Sequence, residues 1–160
     1  MVMYMKKRKY LPYIVSILIP LAVGGIAAIF TVKGMPFYKT QRKPWFTPPE
    51  ILFPIVWTIL YVLMGIGSAL IWKSDTRNKT TALKIYAGQL AVNFFWSVIF
   101  FGLHWYLIAF FWLLLLIALV IRMINAFRSI RSVAAYLQIP YLLWCCFAAI
   151  LNFSIWFLNR

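Results

Sequence analysis

Five long apolar runs dominate the sequence and restrict the chain to one kind of fold. They cover about residues 11–32, 50–72, 81–101, 105–126 and 133–157. A membrane-spanning helix needs about 20 mostly apolar residues, and each run is long enough. The strands of a membrane barrel would alternate polar and apolar side chains, and these runs do not. The sequence therefore predicts an all-α integral membrane protein, a bundle of five transmembrane helices.

The composition agrees with lipid as the solvent of this chain. Of the 160 residues, 65% are hydrophobic and only 11% are charged. A soluble domain of this length carries more charge than that. There is no internal repeat and no room for a second domain, so we expect residues 1–160 to form one membrane domain. The first run is followed by 33–36 (Lys-Gly-Met-Pro) rather than by a small-residue cleavage site, so we expect it to stay in the mature protein.

The net charge of +14 would suggest a nucleic-acid partner if the chain were soluble. Here the cations lie in loops and at helix ends, where they set topology. With the amino terminus in the cytoplasm, that side holds eleven cations: Lys6, Lys7, Arg8, Lys9, Lys73, Arg77, Lys79, Lys84, Arg122, Arg128 and Arg131. The other side holds five: Lys33, Lys39, Arg42, Lys43 and Arg160. We therefore expect a multi-pass protein with a cytoplasmic amino terminus and no nucleic-acid partner.

The segment between the first two runs, residues 33–49, is the longest loop that the pattern predicts. Long loops in compact proteins usually act as lids or binding elements. At its end, residues 47–50 (Thr-Pro-Pro-Glu) have the pattern of a capping box, with Thr47 as the N-cap and Glu50 at the third helical position. The sequence therefore predicts a lid loop over 33–49 and a second helix that begins with a side-chain cap.

Aromatic and amide side chains recur at helical spacing on three of the five runs. The stripe on the third run is Tyr86, Gln89, Asn93, Trp96 and Phe100. The stripe on the second run contains Phe53, Trp57 and Tyr61, and that on the fifth contains Tyr141, Trp144, Ala148 and Asn152. Amides inside a bilayer need hydrogen-bond partners, so these faces are expected to point into the bundle. They predict an aromatic pocket for a flat apolar ligand. The alternative is that the same side chains only hold the helices together.

Other kinds of site lack the residues that they require. The chain has one histidine, His104, two adjacent cysteines, Cys145 and Cys146, and two acidic residues, Glu50 and Asp75. These do not form a metal-ligand set or a nucleophile with its base, so we expect no metal and no cofactor. No acidic residue lies deep in a predicted span, which disfavours proton-coupled transport.

Three ordered motifs resemble those of the TspO/MBR family, the tryptophan-rich sensory proteins and translocator proteins, also called peripheral-type benzodiazepine receptors. The first is 44–49 (Pro-Trp-Phe-Thr-Pro-Pro), followed by Trp57. The second is 89–97 (Gln-Leu-Ala-Val-Asn-Phe-Phe-Trp-Ser), and the third runs from Pro140 to Asn152. The resemblance covers about residues 10–159. It implies a five-helix bundle, usually a homodimer, with a pocket that the first loop closes.

The resemblance also implies a ligand class and a set of site residues. Family members bind porphyrins of the protoporphyrin type and benzodiazepine- or isoquinoline-like compounds. The positions that match the family pocket are Tyr38, Pro48, Phe53, Trp57, Tyr61, Asn93, Trp96, Phe100, Trp144 and Ala148. We expect Lys39, Arg42 and Lys43 in the lid to contact the propionates of a porphyrin, because cations suit such anions.

Three functions are compatible with such a pocket. The first is a membrane receptor or sensor for tetrapyrroles. The second is an enzyme that degrades porphyrin with light and oxygen, in which Trp57 and Trp144 would be the catalytic residues by resemblance. The third is a transporter of porphyrin or lipid, although the chain lacks the repeats that alternating access commonly uses. We expect a bacterial cell membrane, with membrane lipid and a second copy of the chain as further partners.

Overall fold

The structure is a computed structural model that describes the backbone of residues 2–160 and the side chains of residues 10–160. The side chains of Lys6, Lys7, Arg8 and Lys9, which entered the charge count, therefore lie outside the described part. The helices are α1 (Val2–Thr40), α2 (Leu52–Trp72), α3 (Lys79–Ser97), α4 (Tyr106–Arg128), α5 (Ser132–Tyr136) and α6 (Ile139–Leu158). A π-helical turn, Val98–Gly102, continues α3. Since α5 and α6 together form one span, five segments of the described residues are long and apolar enough to cross a membrane, and the predicted fold class is confirmed.

The five spans form a closed ring around a core of aromatic side chains. Helix α1 packs along α2 and against α3 with its π-helical turn, α3 packs on α4, and α4 packs on α6. The ring closes between α2 and α6, where the Phe53 and Trp144 rings lie 6.1 Å apart. This order places the predicted interior faces of α2, α3 and α6 opposite one another.

The predicted loop over 33–49 is wrong for its first half, because α1 continues to Thr40 and the loop begins at Gln41. Packing explains why Gly34 and Pro36 do not end the helix. A Cβ atom on Gly34 would overlap the Phe101 carbonyl oxygen, so glycine lets α1 lie directly against the π-helical turn. The buried Tyr38 ring then packs on Phe101 at 5.7 Å, and Lys43 Nζ donates to the Tyr38 carbonyl oxygen at 3.2 Å. These contacts stabilise two further turns beyond the expected end.

The predicted capping box at the start of α2 is also wrong. The helix begins at Leu52, and its N-cap residue, Ile51, makes no side-chain capping bond. The Thr47 hydroxyl donates instead to the Pro44 carbonyl oxygen at 2.7 Å, within the loop. Glu50 forms an ion pair with Lys39 on α1, at 3.0 Å between Oε2 and Nζ. Glu50, which the sequence pattern predicted to cap α2, therefore connects the end of the loop to α1 instead.

The π-helical turn at the end of α3 changes which residues face the core. Its wider hydrogen bond runs from the Leu103 amide to the Val98 carbonyl oxygen at 2.9 Å. The consecutive residues Phe100 and Phe101 are both buried there. The chain then reverses at His104, which has a positive φ of 58° and whose ring lies 4.2 Å from that of Phe37. The turn thus supplies two neighbouring rings to one side of the bundle.

Helices α1 and α2 approach so closely at Gly65 that a side chain would not fit. A Cβ atom added to Gly65 would lie 2.5 Å from the Ile17 Cα and 2.7 Å from the Ser16 carbonyl oxygen. Both are backbone atoms, which cannot move without shifting α1. Small residues at such contacts are a common means of packing helices in membranes.

We predict that Gly65→Ala destabilises the bundle, because the new methyl group has to push α1 and α2 apart. The expected loss is about 1–3 kcal/mol, measured as a lower thermal unfolding midpoint in detergent. The matched control is Gly88→Ala on α3, where an added Cβ meets nothing within 4 Å. It should leave the midpoint unchanged or slightly raise it. Equal midpoints for the two variants would contradict the close contact.

Candidate functional site

Trp57 lies at the centre of the aromatic core. Its ring stacks on Tyr61 of the same helix at a centroid distance of 5.4 Å. It also contacts Trp96 of α3 at 6.4 Å and Tyr141 of α6 at 6.2 Å. Trp96 in turn stacks on Phe100 at 5.2 Å. The three stripes that the sequence singled out therefore meet around one indole, as their spacing predicts.

A small central cavity lies among these rings. Its volume is about 20 Å³, which is room for little more than one water molecule. Seven of the ten predicted ligand-binding residues line it: Tyr38, Phe53, Trp57, Trp96, Phe100, Trp144 and Ala148. Phe101, Leu151 and Asn152 complete the lining and were absent from the predicted set. The predicted pocket residues are thus brought together, with their own side chains filling most of the space between them.

A larger cavity lies on the other side of Trp57, between α1, α2 and α3. Its volume is about 380 Å³, within the range of small-molecule sites. We call it the lateral cavity. Its α1 wall is made mostly of small residues, including Gly24, Gly25, Ala27, Ala28 and Thr31. Their spacing in the sequence places them on one face of the helix. The same spacing of small residues occurs where two helices pack together, so it does not by itself predict a cavity.

The two cavities share a wall of four side chains: Phe53, Trp57, Trp96 and Phe101. Tyr61, another predicted site residue, lines the lateral cavity alone. Its ring lies against Gly24, where an added Cβ would overlap it. The shared wall consists of aromatic rings, and Trp57 lies between the two spaces.

Two predicted site residues, Pro48 and Asn93, line neither cavity. Pro48 is half-buried in the loop between α1 and α2. Asn93 is almost fully buried, and neither atom of its amide has a hydrogen-bond partner among the described residues. The Trp96 indole N–H, which belongs to the shared wall, also lacks a partner in the described part of the chain. Buried polar groups are normally paired, so the Trp96 N–H is available to a polar atom that enters either cavity.

Other amides of the core are used to hold the helices in place. The Tyr141 hydroxyl donates to Gln89 Oε1 at 2.8 Å and joins α6 to α3. With the Asn152 amide turned so that both atoms find partners, Nδ2 donates to the Tyr106 carbonyl oxygen at 2.9 Å. Its Oδ1 accepts the Phe110 amide proton at 3.1 Å, which joins α6 to α4. These bonds fix the walls against which the aromatic rings rest.

Cations surround the loop end of the bundle. Lys39 is paired with Glu50, a residue of the lateral-cavity lining. Lys43 Nζ donates to the carbonyl oxygens of Tyr38 and Lys39 and lies 4.8 Å from the centre of the Tyr38 ring. Arg42 is exposed, and its guanidinium makes no hydrogen bond or ion pair with the described side chains. The three predicted propionate-contacting residues thus lie at one end of the cavities, and Arg42 is the least engaged.

A five-span bundle with aromatic cavities inside its ring defines an integral, multi-pass membrane protein with space inside for a small ligand. Comparison with known proteins gives the family. A model of the TspO/MBR family matches residues 16–157, and the chain belongs to that family.

Named relatives come from several kingdoms. The "Tryptophan-rich protein TspO" of Archaeoglobus fulgidus is 37% identical, over 93% of this chain and 97% of the relative. The "Translocator protein" of Ovis aries is 38% identical, over 92% and 89%. The "Tryptophan-rich sensory protein" of Cereibacter sphaeroides is 34% identical, over 80% of each chain. The predicted family is confirmed, and with it a membrane receptor or sensor role.

We predict that Tyr141→Phe destabilises the core by about 1 kcal/mol, because it leaves the buried Gln89 amide without its donor. The measurement is the thermal midpoint in detergent. Tyr136→Phe is the control, since Tyr136 is exposed and the same hydroxyl is removed there. If the two variants lost equal stability, the bond between α6 and α3 would not contribute as proposed.

Proposed function

We propose that this protein is a membrane receptor that binds flat hydrophobic ligands, porphyrins of the protoporphyrin type foremost, between α1, α2 and α3. The observation that carries the proposal is the wall of aromatic rings between the two cavities. A flat conjugated ring gains most from contact with the faces and edges of other aromatic rings. Benzodiazepine- and isoquinoline-like compounds offer the same kind of surface and belong to the same class of ligand.

The volumes favour the lateral cavity as the place where such a ligand starts to bind. The central cavity, at about 20 Å³, is too small for any organic ring, whereas the lateral cavity already has about 380 Å³. The small residues of α1 leave the lateral cavity open opposite Trp57. A ligand that displaces the Trp57 ring then reaches the predicted central residues, including Trp144 and Ala148. In this proposal the eight predicted residues that line the two cavities act in sequence rather than as one preformed pocket.

Polar groups at the two ends of the cavities suit the polar parts of a porphyrin. Inside, the unpaired indole N–H of Trp96, a residue of the shared wall, is available to its ring nitrogens. At the loop end, Arg42 can meet a propionate directly, and Lys39 can exchange its exposed Glu50 partner for one. In this proposal the loop end faces the external side of a bacterial cell membrane, as the charge count predicts. Light-dependent breakdown, transport and homodimer formation stay predictions from the family resemblance.

Blocking either cavity separately tests where the ligand binds. We predict that protoporphyrin quenches the tryptophan fluorescence of the purified protein at micromolar concentration. Ala28→Phe places a ring in the lateral cavity and should weaken binding at least tenfold, about 1.4 kcal/mol. Ala148→Phe fills the central cavity and should weaken it as well, because the ligand can no longer pass Trp57.

The control for these variants is Ala22→Phe, an exposed position of α1 that lines neither cavity. It should bind like the wild type. Absence of quenching in the wild-type protein would refute the proposed function. Full binding by Ala28→Phe would refute the lateral cavity as the place of entry.

The cationic loop end gives a separate prediction. Arg42→Ala should weaken binding of protoporphyrin several-fold, because an exposed charge-assisted contact to a propionate is lost. The same substitution should have no effect on a neutral porphyrin ester. The effect should also shrink at high salt, since exposed charges are screened. Lys73→Ala, a cation at the other end of α2, is the control, and an equal loss there would show that only net charge matters.

A further inference from the structure

Asn159, at the carboxyl end of α6, holds the loop between α1 and α2 by a reciprocal pair of hydrogen bonds. The Arg42 amide donates to Asn159 Oδ1 at 2.9 Å. Asn159 Nδ2 donates back to the Arg42 carbonyl oxygen at 2.8 Å. The two residues are 117 positions apart in the chain. These bonds therefore connect the last residues of the bundle to the start of the segment 41–51, which we call the loop.

The amide of Asn159 is suited to this contact because it is fixed from its own helix. Its Nδ2 also donates to the Ile155 carbonyl oxygen at 2.7 Å, so the side chain is oriented before it meets the loop. A side chain has to accept a hydrogen bond from the Arg42 N–H and donate one to the Arg42 carbonyl oxygen, and an amide does both. Alanine would do neither, and aspartate would only accept.

The loop that Asn159 holds lies on the rings around the central cavity. Lys43, the next residue after Arg42, bonds to the Tyr38 carbonyl oxygen and covers the Tyr38 ring. Phe46 packs on Phe147 at 6.3 Å, and Phe147 packs on Trp144 at 5.5 Å. Both Tyr38 and Trp144 line the central cavity. If the loop moved away from the bundle, the Tyr38 and Trp144 walls of the central cavity would therefore lose the residues that cover them.

Another attachment of the loop, besides the contacts of Lys43 and Phe46, is a weak one. It is the ion pair between Lys39 and Glu50, whose side chains are both about half exposed. Exposed ion pairs contribute little to stability and are screened by salt. The two hydrogen bonds of Asn159 are exposed as well, but they are neutral and hold the backbone of Arg42 itself, so they act directly on the start of the loop.

We propose that Asn159 is a latch: it positions the loop over the aromatic rings, and its release sets how fast these rings make room for a ligand that passes Trp57 from the lateral cavity, and so how fast the ligand enters and leaves the central cavity. The consequence for ligand exchange rests on the proposed function, whereas the latch itself does not. Asn159 is a positioning residue, because it acts through the loop and does not line either cavity.

Hydrogen–deuterium exchange of the full-length protein tests the latch without any ligand. In Asn159→Ala, peptides covering residues 38–52 should exchange about tenfold faster or more, since two backbone hydrogen bonds are lost. Peptides from α3 and α4 should exchange as in the wild type. The control is Ser154→Ala, which removes a hydroxyl bond within α6 and should change neither region.

Stopped-flow binding of protoporphyrin tests the consequence. In Asn159→Ala the association and dissociation rates should both rise, about tenfold, while Kd changes by less than threefold. A purely structural role for Asn159 would raise Kd instead. Asn159→Asp keeps the acceptor for the Arg42 amide and loses both donated bonds, so its rates should fall between those of the wild type and Asn159→Ala. It also serves as the readout if the alanine variant does not fold.

The outcomes separate the latch from the proposed function. Unchanged exchange over residues 38–52 in Asn159→Ala overturns the latch. Faster exchange with unchanged ligand rates overturns its control of ligand exchange. If the wild-type protein binds no porphyrin, the proposed function fails, and the hydrogen-exchange result alone then supports or overturns the latch.

Discussion

The hydrocarbon solvent is the constraint on which the rest of this structure depends. Lipid tails offer no hydrogen bonds, so each span has to satisfy its own backbone by winding into a helix. They also provide no hydrophobic drive for helices to associate, so the helices are held by close packing and by a few internal polar contacts. The glycine contact between α1 and α2 and the Tyr141–Gln89 bond are examples of these two means. An aromatic interior with space left in it is stable only because both kinds of contact fix its walls.

Much of the fold follows from the sequence because the membrane makes the pattern simple. Five apolar runs of sufficient length give five spans, and helical spacing is enough to bring Trp57, Trp96 and Tyr141 together. The buried amide of Gln89 faces inward because an amide facing lipid would have no partner, and it finds one in the Tyr141 hydroxyl. For these residues, the helical spacing and the lipid environment predict the same inward-facing side. The prediction therefore does not depend on where the neighbouring helices lie.

The parts that could not be predicted depend on contacts between distant segments. Thr47 and Glu50 have the spacing of a helix cap, but Lys39 across the loop takes the carboxylate. Gly34 and Pro36 suggest a helix end, but the fit of α1 against Phe101 stabilises further turns. The lateral cavity depends on the placement of the small residues of α1 opposite Trp57, and small residues look alike whether they face a cavity, a helix or lipid. Nothing in the sequence predicts the contact of Asn159, because its partner is the backbone of a residue 117 positions away.

The π-helical turn at Val98–Gly102 links the two cavities through the winding of the backbone. Phe100 lines only the central cavity, whereas Phe101 belongs to the wall that both cavities share. In a regular α-helix, consecutive residues point about 100° apart, and one residue fewer in the turn would rotate the rest of the segment by that angle. Phe101 would then leave the shared wall, and the turn would no longer offer its close backbone approach to Gly34. The partition of space inside the bundle therefore depends on the register of this turn as well as on the choice of side chains.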